Sequence, residues 1–227
     1  MPFDLVIFDC DGVLIDSEII SARMLVAELA KLGVTIDLDY VAQHFLGRSY
    51  PTVMNQIRSE FGLNLPSEFE DNYREQLLTA FKSDLRIMPH VKDVLAQLDV
   101  PYCVATSSSP RRAETSLQLV GLGALTTQGL FTSTMVARGK PAPDLFMHAM
   151  VEMGIADPAR CLVIEDSLNG VRAARAAGMP VWRFTGGTHL AGLLSDEPPD
   201  AQPDGRFASF ADFFQVVPGL RQKALTQ

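Results

Sequence analysis

Cysteine is scarce. The 227 residues contain three, Cys10, Cys103 and Cys161, each at or beside an apolar run. An odd number with no paired spacing argues against a disulfide framework and against a cysteine zinc site. Positive charge is also in short supply: 19 Lys and Arg stand against 27 Asp and Glu, a net charge of -8. No basic cluster is long, so a nucleic-acid partner, which needs a basic face, is not expected. Of the four histidines, His44, His90 and His148 show no metal spacing. No apolar run approaches the roughly 20 residues of a membrane span, and no basic segment precedes an apolar one at the N-terminus. A cytoplasmic protein with no membrane partner, monomeric or weakly homo-oligomeric, is expected. What is abundant is apolar surface: 47% of residues are hydrophobic, enough for a packed core.

Two patterns divide the chain. Residues 4–8 form an almost wholly apolar run, which reads as a strand buried on both faces. Residues 17–32, 39–46, 51–61 and 67–81 then carry helical spacing, with Gly33, Gly47, Gly62 and Pro66 as punctuation. Asp16 or Ser17 is a candidate N-cap for the first of these helices. No strand-like run interrupts them, so an all-helical insertion is expected over residues 16–83. After Pro89 strands and helices alternate. Strands are expected at 101–106, 129–132, 161–165 and 180–184. Helices are expected at 91–98, 110–119, 143–153 and 168–177, with a short one at 208–214. Residues 186–204 read as loop. Alternation of this kind predicts an α/β fold with a doubly wound parallel sheet, built from residues 1–15 and 84–227.

Four polar signals fall after apolar strands or just before a helix. They are Asp9 and Asp11; Thr106-Ser107-Ser108-Ser109; Gly139-Lys140-Pro141; and Glu165-Asp166-Ser167. Singly, each has a plain reading: an acidic turn, a polar cap, a solvated lysine, a helix start. Parallel strands, however, end on one rim, where an open α/β sheet binds its ligands. Four carboxylates gathered there repel one another unless a cation joins them. Mg²⁺, which takes carboxylates, water and phosphate oxygens, is the natural remedy. Lys140 adds charge, Thr106 and Ser108 add hydroxyls, and the amides of that loop can point at an anion. Together these make a phosphate site. A carboxylate within it can act as nucleophile, and a second, two residues away, can move protons.

At this point the chain resembles a known family. Asp9-Cys10-Asp11-Gly12-Val13-Leu14-Ile15-Asp16-Ser17, Thr106-Ser107-Ser108, Gly139-Lys140-Pro141-Ala142-Pro143-Asp144 and Glu165-Asp166-Ser167 are similar, in order, to the four motifs of the haloacid dehalogenase superfamily. The closest branch contains the phosphoglucomutase-like phosphatases. The resemblance implies a Rossmann-like core with a helical cap inserted after the first strand. It implies Asp9 as nucleophile and Mg²⁺ ligand, and Asp11 as general acid/base with its backbone carbonyl on the metal. Thr106 and Lys140 would hold the transferring phosphoryl group, assisted by Ser107 and Ser108. Asp166 would ligate Mg²⁺, and Glu165 would do so directly or through water. The halide-removing branch lacks the second aspartate, so Asp11 favours phosphoryl chemistry.

The expected activity is a Mg²⁺-dependent phosphatase acting on a small phosphorylated metabolite, a sugar or sugar-acid phosphate such as 6-phosphogluconate. A phosphomutase is the alternative, and a non-catalytic phosphate-binding regulator a more distant one. The mutases of the branch carry a cap histidine where this chain has Ser21, and an arginine where it has Tyr50. Both departures favour hydrolysis. Arg48 is a candidate for reading the far end of the substrate, since an arginine suits an anion; the equal alternative is a surface arginine paired with an acid. Cys10 reads as a packed thiol, Trp182 as core and His189 as a loop histidine. Hinges between insertion and core are expected near residues 14–17 and 82–88.

Overall fold

The computed structural model describes residues 3–45, 48, 50–65, 68–192 and 197–221. Among these, six parallel strands make one sheet: β1 (Leu5–Phe8), β2 (Tyr102–Thr106), β3 (Leu130–Thr132), β4 (Cys161–Glu165), β5 (Val181–Phe184) and β6 (Gly205–Phe207). Their order is β3-β2-β1-β4-β5-β6. β1 is central, with Phe8 in register with Val104 on one side and Ile164 on the other. The order reverses between β1 and β4, which opens a crevice beyond the strand ends.

The uniform apolarity of β1 follows from this position. Leu5 and Ile7 point into one layer, with Val163, Phe146 and Val171; Val6 and Phe8 point into the other, with Val104, Ile164 and Phe213. All four β1 residues are fully buried. The second layer also holds an aromatic group in which Phe184, Phe207 and Phe213 surround Phe210, with centroids 4.7–6.2 Å from it.

Among the described residues, five helices lie between β1 and β2, the first four being α1 (Glu18–Lys31), α2 (Leu38–His44), α3 (Tyr50–Phe61) and α4 (Phe69–Asp84). The two chain crossings into them pair with each other. Asp16 N–H donates to the Arg86 carbonyl and Met88 N–H to the Leu14 carbonyl, each at 2.9 Å. The core helices are α5 (Val91–Gln97), α6 (Pro110–Leu119), α7 (Leu125–Gln128), α8 (Asp144–Glu152), α9 (Leu168–Ala176) and α10 (Phe213–Val216). Among the described residues, no helix is long and apolar enough to cross a membrane.

Several local expectations shift. Ser17 occupies the N-cap position of α1 but makes no side-chain cap bond; its hydroxyl is used elsewhere, as shown below. The helix expected at 39–46 runs from Leu38 to His44, and Leu46 lies outside the described residues. The start expected at Ser67 also lies outside them. Trp182 is half-buried, packed against the layer that holds Phe8 and Phe213. The helix expected at 208–214 is a 3₁₀ turn, Phe210–Asp212, followed by α10. β6, whose Gly and Arg carry no strand signal, extends because Gly205, Arg206 and Phe207 register with β5.

The β5–β6 edge is tied to the loop before β6 by a buried carboxylate. Glu197 accepts from Arg183 at 2.9 Å and from Arg206 Nε at 2.8 Å, and pairs again with Arg206 through Oε2. The Arg206 hydrogen bond, aided by Arg183, holds the Glu197 pKa down to about 2 against the opposing effect of burial. A depressed carboxylate stabilises the fold above its unfolded pKa and loses that contribution as pH falls through its folded value. We therefore expect thermal unfolding to show wild type more stable than Glu197→Gln near neutrality. The gap in Tm should narrow from about pH 4.5, the ordinary glutamate range, and close near pH 2. A constant gap across that window would contradict this.

Candidate active site

Asp9 is the first residue past β1, and the sheet still holds it: its N–H donates to the Ile164 carbonyl at 2.9 Å. The chain then turns tightly. The Cys10 carbonyl accepts from Leu14 and Ile15 N–H at 2.9 and 3.1 Å, and Gly12 sits at φ +79°. A Cβ on Gly12 would lie 2.2 Å from Asp166 Oδ2. Glycine thus supplies both the left-handed backbone and the close approach of two acidic loops. Cys10 packs inward, fully buried, and burial raises its thiol pKa.

Asp11 stands at the centre of a donor shell. It accepts from Ser17 Oγ at 2.5 Å, Ser108 Oγ at 2.6 Å, Arg112 Nη2 at 2.7 Å and Thr106 Oγ1 at 3.3 Å. Burial alone would raise its pKa; the Arg112 charge and the Ser108 and Ser17 bonds outweigh it and leave the carboxyl below its ordinary value. The loop after β2 is set by Thr106, whose Oγ1 accepts from Ser108 N–H at 3.1 Å. Ser107 lines the same cavity, and its carbonyl accepts from Ser133 Oγ.

Lys140 reaches the rim from the loop before α8, after which the chain continues through a cis Lys140–Pro141 peptide. Its three N–H groups go to Asp9 Oδ1 at 2.7 Å, Glu165 Oε1 at 2.6 Å and the Ala105 carbonyl at 2.9 Å. Nζ also lies 4.7 Å from the Phe146 ring centroid. Burial opposes its charge, but Asp9 and Glu165 raise its pKa nonetheless. The other oxygen of Glu165 accepts from Ser167 N–H and Oγ at 2.9 and 3.0 Å. The start of α9 presses against this carboxylate: a Cβ on Gly170 would fall 1.8 Å from it.

Asp9, Glu165 and Asp166 are buried, and each offers an oxygen within 4.8 Å of the others. Burial raises the pKa of Asp9 despite Lys140, and burial followed by the charge of Glu165 raises that of Asp166. These directions mark a site short of positive charge. Arg183 donates to the Asp166 carbonyl at 2.8 Å and so fixes its backbone.

Asp9, Asp11, Thr106, Ser107, Ser108, Lys140, Glu165 and Asp166 therefore line one cavity of about 250 Å³ between the strand ends and the helical insertion. Arg48 lies at its outer wall, exposed, donating to Gln56 at 2.7 Å. Three residues of interest were not singled out as site candidates by the sequence pattern. His189 is no ordinary loop histidine: it is 6% exposed, with Nε2 2.8 Å from Asp166 Oδ2, and burial lowers its pKa. Glu18 lines the cavity, its pKa raised to about 7 by burial and then by Asp11. Arg112 contacts Asp11 directly. Its signal was its place in the first turn of a helix that begins at the serine loop.

The chain is similar to several known proteins. The family model for haloacid dehalogenase-like hydrolases matches residues 3–178. The 6-phosphogluconate phosphatase of Escherichia coli K12 is 29% identical over 187 residues, covering 82% of this chain and 84% of that protein. Among solved structures, a conserved haloacid dehalogenase-like protein of unknown function from Agrobacterium tumefaciens C58 is 34% identical. It covers 95% of this chain and 98% of its own, with a TM-score of 0.79. A HAD family hydrolase from Deinococcus radiodurans R1, solved with bound phosphate and sodium, is 30% identical, covering 98% and 99% at a TM-score of 0.74.

The double ion pair of Lys140 sets an expectation for stability. Lys140→Met strands Asp9 and Glu165 together without a counter-charge, and breaking a buried pair in this way costs roughly 3–5 kcal/mol. In metal-free buffer, calorimetry should show a fall in Tm of roughly 10 °C for a chain of this size. A Tm within two or three degrees of wild type would show that the lysine is not holding these carboxylates.

Proposed function

The chain belongs to the haloacid dehalogenase-like hydrolases, and on that premise we propose that it hydrolyses small phosphate monoesters, of the sugar or sugar-acid class, through a phosphorylated Asp9. One observation carries this reading. A buried carboxylate, Asp9, is clamped at 2.7 Å by Lys140, while a second carboxylate, Asp11, faces the same cavity within its own shell of donors.

The roles follow from position. The phosphoryl group is received between Asp9, Lys140 and the loop at Thr106–Ser108. Asp9 attacks phosphorus as the ester P–O bond breaks, and the leaving oxygen takes its proton from Asp11. Asp11 then draws a proton from water. That water attacks the aspartyl-phosphate, releases inorganic phosphate and restores Asp9. The donors around Asp11 favour its carboxylate form, the one that activates water. A phosphate dianion arriving beside it draws on the same donors and raises its affinity for a proton.

The carboxylate group fits a hard divalent cation, because three buried oxygen donors converge within a few ångströms and Lys140 pairs with just two of them, Asp9 and Glu165. Mg²⁺ would be held by Asp9 and Asp166, with Glu165 and the Asp11 carbonyl completing the protein's share. It would supply charge to neutralise the phosphate oxygens. Glu165 is already engaged at both oxygens by Lys140 and Ser167, so its main part is to hold the lysine in place.

The helical insertion supplies the wall facing these groups, and its crossings near residues 14–17 and 82–88 are where it would hinge to admit substrate. Ser21 supports hydrolysis over isomerisation: its hydroxyl donates to the Ser17 carbonyl and accepts from Arg112, and it is no acid or base. The named activity of the Escherichia coli relative supports a sugar-acid phosphate as substrate.

Asp9→Asn should lower kcat for p-nitrophenyl phosphate with Mg²⁺ by about 10³-fold or more, the scale of losing a nucleophile. Acid-quenched wild-type reactions should carry one phosphoryl group on the peptide containing Asp9. Undiminished turnover by the variant would overturn the mechanism.

A further inference from the structure

Five cationic side chains besides Lys140 approach the cavity or its rim or sit close to it, and most are already committed. Arg111 pairs with Glu75 of the insertion. Arg74 lies near Glu70 and Asp71 at 3.6 and 3.7 Å, over the Tyr50 ring. Arg48 donates to Gln56. Arg183 is spent on Glu197 and the Asp166 carbonyl. Among the described residues, Arg112 is the one of the five whose charged side-chain partner is a site carboxylate, Asp11. It sits in the first turn of α6, where Ser109 Oγ accepts from its N–H, and its side chain enters the cavity.

The Arg112 guanidinium joins the two walls. Nη2 donates to Asp11 Oδ1 at 2.7 Å and to Ser21 Oγ of the insertion at 3.1 Å, and the group lies over the Phe81 ring at 5.4 Å. Its Nε is buried and has no acceptor among the described residues. A buried unsatisfied donor on a planar fork calls for an explanation. Lys140, by contrast, has used all three of its donors.

We infer that Arg112 is a specificity-determining residue that binds a carboxylate on the carbon skeleton of the substrate. The inference rests on the phosphatase reading above and extends it to a substrate class. Its position decides which part of the substrate it meets. Asp11 serves the leaving oxygen, so a group against Arg112 belongs to the leaving alcohol and not to the phosphoryl group. A carboxylate can replace Asp11 or join it at the guanidinium, and the arginine is never left unpaired in a buried site. A neutral alcohol offers no such exchange. The fork also matches a carboxylate in two parallel hydrogen bonds. Phosphorylated hydroxy acids are therefore the class selected, over the polyol phosphates of the same length.

The test uses three matched pairs that differ only at the terminal carbon: phosphoglycolate and 2-hydroxyethyl phosphate, 3-phosphoglycerate and glycerol 3-phosphate, 6-phosphogluconate and sorbitol 6-phosphate. In wild type at least one acid should exceed its alcohol in kcat/KM by about 10- to 100-fold, the scale of a charged hydrogen-bond pair. Arg112→Met should bring that ratio close to one, mainly through KM. Arg112→Lys keeps the charge without the fork and should retain part of the preference. A purely structural role would lower both members of each pair alike and leave the ratio unchanged; that result, or the absence of any acid preference in wild type, overturns the inference. Calorimetric binding of the same pairs to Asp9→Asn, with and without Arg112→Met, reads the acid preference without turnover. Loss of phosphatase activity in wild type would defeat the function reading, while the binding ratio still decides for or against Arg112.

Discussion

Lys140 is the constraint around which the site is assembled. A fully enclosed ammonium must have its three donors met, and here they are met by Asp9, Glu165 and the Ala105 carbonyl. Those three partners come from the ends of β1, β4 and β2. One side chain thus ties the strand ends of the central sheet together at the point where ligands enter. The pairing would be costly without this complement, since desolvating two carboxylates and an ammonium is expensive. It holds because neither side can be removed without stranding the other.

The sheet order makes this convergence possible. With β1 between β2 and β4, the residues following each strand share one rim, and the reversal of order leaves space above them. The remaining pieces press inward on that rim. Gly12 lets the first turn meet Asp166, and Gly170 lets α9 meet Glu165. Arg183 anchors the Asp166 backbone from β5 and is itself held by Glu197. The outer edge of the sheet and the acidic centre are therefore linked through two hydrogen bonds.

What was legible in the sequence was what is local in sequence. Asp9, Thr106 and Glu165 each end or follow a short apolar run, so their place on the rim follows from strand pattern alone. All three line one cavity. What was not legible depends on partners distant in the chain. Arg111 and Arg112 are adjacent in one helix turn, yet one turns to Glu75 at the surface and the other into the cavity. Ser17 reads as a helix cap because capping is its commonest use; here Asp11, six residues back, takes its hydroxyl. His189 lies in a loop without periodicity, and only its packing against the turn at Gly12 brings it to Asp166. β6 is three residues long and is a strand because β5 offers it an edge.

The two walls of the cavity carry different kinds of information. The core wall is polar, with most of its side chains carried on strand ends and helix starts. The insertion wall is largely apolar, with Leu25, Val41, Met54, Leu77 and Leu78 facing the cavity. An apolar wall gives little discrimination among hydroxylated chains, but it strengthens whatever charged contact is made beside it by excluding water. Polar groups away from the carboxylate cluster include Glu18 and Ser21 at the start of α1, Arg48 and Arg74 of the insertion, and Arg111 and Arg112 at the start of α6. Of these arginines, Arg112 donates both to Asp11 and to Ser21, which puts the proposed carboxylate contact where the two walls meet.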